Sequence, residues 1–425
     1  MKKFTLIICT LLLNLVFSAQ SATLSNADQV KNCNFSKTDK WWQVDFASLP
    51  ANVANNPVTK DNEFCEFYQF AQDYFLYLLS PSTTTTGQSN WQNQQTFPLL
   101  ETAGTDSCDD EHQAHSFNIR TAKDPHDNKP FVIPSKIDQA DAGAIYDQEG
   151  NVVFYEIRFS KNLCDYKTIQ YKPNFPGKTI ELKMAWRVMN DSDNSASYYQ
   201  TTANIDGNTY QLGMVGWHIV IAADNHPEFV WATLDHVENA VSCADISSGE
   251  SAYDFTSQAC AQDKNKCHNL NDTFASTDVK LPAGTQPNDI CQVYPYGTVK
   301  SNDIDTRDGL NIALIKKLNN ELQNTIFKAP NLPTSLAVWK NYQFTGALWV
   351  SEPDKGDAED NQRGSLKLAN TVMETQFQDI DNGINCFGCH AYSGTESNTS
   401  NTAILSHIFD DIIAGQKSAN KTSKK

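Results

Sequence analysis

An α+β fold is expected from three features of the chain. Its middle third contains strands of alternating polarity, two apolar runs there are linked by a turn, and leucines recur at four-residue spacing near the end. In TIELKMAWRVM, Ile180, Leu182, Met184, Trp186 and Val188 alternate with Glu181, Lys183, Ala185 and Arg187, the period of a half-buried strand. VGWHIVIA and EFVWATLDHV are joined by the short ADNHP, so these two are expected to pair antiparallel. GLNIALIKKLNNELQNTIF repeats Leu310, Leu314, Leu318 and Leu322 along one face, as an amphipathic helix does. No helix-length amphipathic segments alternate with the strands, which counts against a doubly wound sheet. The expected architecture is therefore an antiparallel β-sheet-rich middle region with helices at its N-terminal side and a helical C-terminal segment.

Taken in order, residues 1–22 read as a secretory signal peptide: Lys2 and Lys3, an apolar run from Phe4 to Phe17, then small residues from Ser18 to Ala22. That run is too short to span a bilayer, which needs about 20 residues. Residues 23–125 form an aromatic-rich N-terminal region in which EFCEFYQFAQDYFLYLLS (Glu63 to Ser80) has helical length. The polar PSTTTTGQSNWQNQQ that follows reads as a loop. Residues 126–300 are the β-rich body; VVFYEIRF adds a strand with Val153, Tyr155, Ile157 and Phe159 on one face. Residues 301–415 are the helical region. There SLKLANTVMETQFQDI sets Leu366, Ala369, Met373, Phe377 and Ile380 on one helical face, with Ser365 as N-cap. Residues 416–425 are expected to be a disordered tail.

Acidic residues outnumber basic ones, giving a formal charge of -17. This argues against nucleic acid or anionic lipid as a partner and suits a basic docking face on a redox partner. The chain has 11 cysteines. Cys9 leaves with the signal peptide, and Cys386 and Cys389 stand apart in their own motif. Cys33, Cys65, Cys108, Cys164, Cys243, Cys260, Cys267 and Cys291 remain. An oxidising compartment allows these to form up to four disulfides, with residues 243–291 a stapled, loop-rich region. CAQDKNKCH suits a small disulfide loop; the other pairings stay open.

The chemistry lies in NGINCFGCHAYSG (Asn382 to Gly394). Two thiols separated by two residues on a helical turn can reach the two vinyl groups of one porphyrin, and the adjacent histidine then lies under the iron. Cys386 and Cys389 are thus the expected covalent thioether ligands of a single haem c, and His390 the proximal axial ligand. A thioredoxin-type pair would need a βαβ setting, and a zinc site a second ligand pair; neither context is present in the sequence. Only 35 residues follow His390 and none is methionine. The sixth ligand of ordinary small c-type cytochromes, a methionine far downstream, is therefore missing. The candidates for that position are Met373, on the apolar face of the helix before the motif, His407, or an open iron. His112 and His115 in an acidic loop, and His218, His226 and His236 among the strands, are weaker metal candidates.

The chain resembles exported bacterial proteins with one C-terminal CxxCH, a cytochrome-c-like and largely uncharacterised group. The resemblance rests on IELKMAWRV, on VGWHIVIAADNHPEFVWATLDHVENA, and on KLANTVMETQFQ with CFGCH. It implies haem c at Cys386 and Cys389 with His390 axial, and it brings no substrate. The expected function is that of an exported monohaem c-type cytochrome-like protein, periplasmic or secreted, without a membrane span, which transfers electrons to a periplasmic redox partner. The alternatives are a haem enzyme of peroxidase or oxidase type with an open iron site, and a secreted binding protein with structural haem. Two protein ligands on the iron favour the first, and one ligand with an open face favours catalysis.

Overall fold

A computed structural model describes residues 25–37, 40–54, 64–98, 108, 122–123, 130–131, 145–166, 174–205, 208–246, 253–269, 280–281, 283–284, 286–355, 360–379, 385–390 and 405–406. The segment expected to be a signal peptide, His112, His115, His407 and the expected C-terminal tail lie outside them.

The helices are α1 (Asn26–Asn32), α2 (Phe64–Leu79), α3 (Lys161–Tyr166), α4 (Gln258–Gln262), α5 (Arg307–Asn324) and α6 (Cys386–Cys389). Two short ribbons stand apart: β1 (Ala122–Lys123) with β2 (Pro130–Phe131), and β8 (Val241–Ser242) with β9 (Cys291–Gln292), the latter parallel. The remaining strands are β3 (Phe154–Phe159), β4 (Ile180–Val188), β5 (Gln200–Ile205), β6 (Asn208–Ala223), β7 (His226–His236), β10 (Tyr342–Val350) and β11 (Gln362–Gly364). They form one antiparallel sheet in the order β11-β10-β7-β6-β4-β3, with β5 on the first half of β6. The fold class expected from sequence is observed. So is the β6–β7 hairpin, in which Trp217 faces Leu234 and Ala223 faces His226.

The alternation in β4 sorts its residues between two faces. Ile180, Leu182, Met184 and Trp186 enter the main core, together with Trp217 and Ile219 of β6 and Val230, Ala232 and Leu234 of β7. The same core takes in α2, through Phe67, Phe75 and Leu78, and α5, through Leu310, Leu314, Leu318 and Leu322. Thr306 caps α5 by accepting a hydrogen bond from the Gly309 N–H at 3.1 Å. The leucines at four-residue spacing therefore do what their period predicts, burying one helix face against the sheet. The opposite sheet face carries Val220, Ala222, Phe229, Trp231, Leu348 and Val350, and this is the face the C-terminal motif reaches.

All eight remaining cysteines pair, as Cys33–Cys65, Cys108–Cys164, Cys243–Cys291 and Cys260–Cys267. The stapled region and the small loop were expected.

The expected helix from Ser365 to Ile380 does not form. The chain runs through turns to a single 3₁₀ segment at Thr375–Asp379. Buried polar groups decide this. Ser365 is no exposed cap: its hydroxyl donates to the Tyr296 carbonyl (3.1 Å) and accepts from Asn311 Nδ2 (3.0 Å). Asn370 Nδ2 donates to the Leu234 carbonyl (2.9 Å) and Thr371 Oγ1 to Asp235 Oδ2 (3.0 Å). These bonds fasten the segment to β7 and leave no register in which a helix could satisfy the same side chains. The turn presses on β6 at Gly216, where a Cβ would stand 2.7 Å from Asn370 Oδ1.

Candidate haem-attachment site

The motif begins at Asn385, whose side chain fixes it in place. Asn385 Nδ2 donates to Gln362 Oε1 of β11 (2.6 Å) and to the Leu366 carbonyl (3.1 Å), and Oδ1 accepts from the Gly388 N–H (3.4 Å). An asparagine N-cap of this kind supports a helix too short to support itself. The turn closes with the His390 N–H donating to the Cys386 carbonyl at 2.9 Å. Positions 386 and 389 are therefore one helical turn apart. Phe387, on another side, is fully buried among Trp231, Leu368 and Leu405. Cys386 and His390 are half-buried, and a Cβ placed at Gly388 would meet nothing within 4 Å. Asn385 and Phe387 seat the turn, and no described residue stands over Gly388. That arrangement suits two thiols and an imidazole meant for a large planar group.

The wall behind the motif is Trp231 of β7. Its ring centroid lies 4.6 Å from that of His390 at an interplanar angle of 48° and 6.1 Å from that of Phe387, edge-on. Nothing in the sequence pairs residue 231 with residue 390; the only signal was that Trp231 falls within a segment expected to be a strand.

No protein-family model, no curated protein and no solved structure matches the chain. The site is therefore argued from its own geometry.

Met373, the residue proposed for the distal position, is fully buried. It packs with Val372, Tyr155, Val215 and Ile290, in a cluster separate from the one that holds Phe387 and Cys386. Its apolar-face position reflects core packing, and the structure does not bring it to the motif. The three strand histidines do not converge either. His226 Nδ1 meets Glu228 Oε1 (2.8 Å) and its ring lies against Phe67 of α2, in the main core. His236 stacks on Tyr198 at 4.1 Å, and burial lowers its pKa to about 4. His218 is on the motif's side of the sheet, with Nε2 2.5 Å from Glu374 Oε1. It faces Thr233, two residues from Trp231 on the same face of β7. Lys183 and Glu181 continue this polar row on β4, and Glu181 Oε2 accepts from the Ser406 hydroxyl at 2.7 Å. The His218–Glu374 pair, with Lys183 and Glu181, makes this face of the sheet partly polar.

One further buried acid and one network of three acids around an arginine lie elsewhere on the sheet. Asp235 is fully enclosed; burial raises its pKa to about 6, against the pull of hydrogen bonds from Thr345, Thr371 and Asn239. Farther along the sheet, Arg187 binds Asp193 (2.9 Å), Asp254 (3.1 Å) and Asp147 (3.4 Å). Arg187 offsets these acids, and burial still pushes Asp254 up to about 7. This network ties loops to β4, and its groups all have partners of opposite charge. Among the described residues no cluster of three or more metal-ligating side chains occurs, and no helix is long and apolar enough to cross a membrane.

Proposed function

We propose that this chain is an exported, monohaem c-type cytochrome-like protein that passes electrons through a haem held by thioethers from Cys386 and Cys389. His390 serves as the axial ligand. The observation that carries the reading is the form of the CFGCH turn: Cys386 and His390 remain half-exposed while Phe387 anchors the turn in the sheet. The bound haem would supply a one-electron iron couple. The chain's own part is to fix the axial imidazole against Trp231, to keep water from one side through the Trp231, Leu368 and Leu405 cluster, and to present an acidic exterior to a basic redox partner.

A second reading, a haem enzyme with an open iron face, draws support from the polar His218–Glu374 pair on the sheet face that the motif reaches. The test is expression with c-type maturation followed by denaturing electrophoresis and haem staining. The wild type is expected to retain haem, Cys386→Ala or Cys389→Ala to weaken the stain, and His390→Ala to change the iron spectrum. An unstained wild type refutes both readings. A low-spin ferric spectrum indifferent to cyanide favours electron transfer. A high-spin one that responds to cyanide or peroxide favours the enzyme.

A further inference from the structure

Trp231 is held more firmly than a core tryptophan requires. Its strand is hydrogen-bonded on both sides, with Trp231 opposite Val220 of β6 and Leu348 of β10. Its indole N–H donates to the carbonyl of Glu228, three residues back on the same strand, at 3.0 Å. An ordinary extended strand does not offer that carbonyl to a side chain so near. It is available because Phe229 has φ 70°, and φ at residue 229 sets the orientation of the peptide unit that carries the Glu228 oxygen. A bulky residue is strained at positive φ. Such strain persists where the surroundings fix it, and it collects at sites with a task. Here the surroundings are visible. Phe229 is buried with its ring edge-on to Trp231 at 5.8 Å, and the Glu228 carboxylate is bound to His226.

The ring fixed in this way touches two residues of the four-residue α6 turn and its cap, Phe387 and His390. Asn385 and Phe387 seat the turn, and contact at both Phe387 and His390 with a single immobile indole sets its rotation about its own axis. We propose that Trp231 is the positioning residue for His390, setting the rotation of the imidazole that would bind the iron. This rests on the haem reading above. Groups outside a metal's own ligands orient those ligands and tune the metal through them, and the plane of an axial imidazole is one such variable.

The experiment compares wild type, Trp231→Phe and Trp231→Leu in two forms. In the haem-loaded proteins, Cys386 and Cys389 are untouched and the covalent stain is expected in all three. Trp231→Leu should broaden or split the low-temperature paramagnetic resonance of the ferric iron into more than one set of g-values. It should also change the ratio of ferric to ferrous stability by about tenfold, which is a shift of about 59 mV in midpoint potential. Trp231→Phe keeps a ring without the N–H and should fall between. A purely structural tryptophan would alter thermal stability and leave g-values and potential in place, and that result overturns the proposal.

In the haem-free Cys386→Ser, Cys389→Ser protein, the His390 ring protons should show upfield proton resonances from the indole ring current, lost in Trp231→Leu. Unshifted His390 resonances there refute the contact itself. A wild type without haem refutes the haem reading and with it the iron-ligand role, while the resonance arm still decides whether Trp231 holds His390.

Discussion

Asp235→Asn should change the pH dependence of stability by an amount that can be worked from the structure. Asp235 is fully enclosed, and its carboxyl is raised from 3.8 to about 6, first by burial. A carboxyl raised in the folded state favours folding when protonated. Its contribution is complete below pH about 4 and is lost as the pH rises through about 6. The rise corresponds to about 3 kcal/mol between those limits. Asparagine keeps an oxygen for Asn239 Nδ2 and the Thr371 N–H, and its new amide can donate to the hydroxyls of Thr345 and Thr371, which now donate to the carboxylate. The absolute stability of the variant depends on how well those hydroxyls turn, but the pH dependence of the difference does not. Urea unfolding of both proteins from pH 4 to pH 7.5, with disulfides intact, should show the variant gaining on the wild type by about 3 kcal/mol as the pH rises. Parallel stability curves would refute the claim that the buried carboxyl carries this penalty. The comparison must be a difference, because other buried groups titrate in the same window.

His236 is one of these groups and has the opposite sign. Its folded pKa of about 4 lies below the ordinary 6.5, so it contributes stability above pH 6.5 that is lost as the pH falls toward 4; a nuclear resonance titration should find the ring neutral at pH 5. Removing the Cys243–Cys291 bond by paired alanine substitution frees a loop of sequence separation 48 and should cost about 4 kcal/mol in chemical unfolding. Peptide mapping without reduction should recover the four bonds described above, with Cys386 and Cys389 in none of them. Ser365→Ala should destabilise by about 1–3 kcal/mol, because it leaves the buried Asn311 amide short of an acceptor. Helical dichroism should be unchanged, since Ser365 caps no helix.

The sheet was legible in the sequence where polarity alternates, as in Ile180 to Val188, because one face is buried deeply enough to exclude charge and the pattern records it. The same cue failed for β10. β4 is buried on both faces too, but its second face carries Glu181, Lys183 and Arg187, whereas YQFTGALWV has no charged residue on either face and so no alternation to read. The segment from Ser365 misled for the reverse reason. Its apolar residues fall at helical spacing, while Ser365, Asn370 and Thr371 form bonds to partners far away in sequence, which periodicity does not weigh. At the motif, the two cysteines and the histidine were legible because their chemistry demands a local spacing. Trp231 and His218 were not, since strand register alone brings them to that face, and Glu374 meets His218 from the turn that follows Asn370. The distal assignment to Met373 took an apolar helical face for a haem-facing one, and the residue is core.

The order of strands in the sheet has a consequence for how the chain is made. The central strand β7 has β6 as one neighbour, joined by a tight turn, but its other neighbour, β10, begins only at Tyr342, after the disulfide loop and α5. As the chain emerges from its N-terminus, the β6–β7 hairpin can close early, leaving HPEFVWATLDH with one edge bare and apolar side chains on it. Such an edge can pair with another copy of itself until β10 arrives. Nascent or truncated chains ending before residue 342 are thus the aggregation-prone species, and covering β7 is the step that commits the protein to its native form.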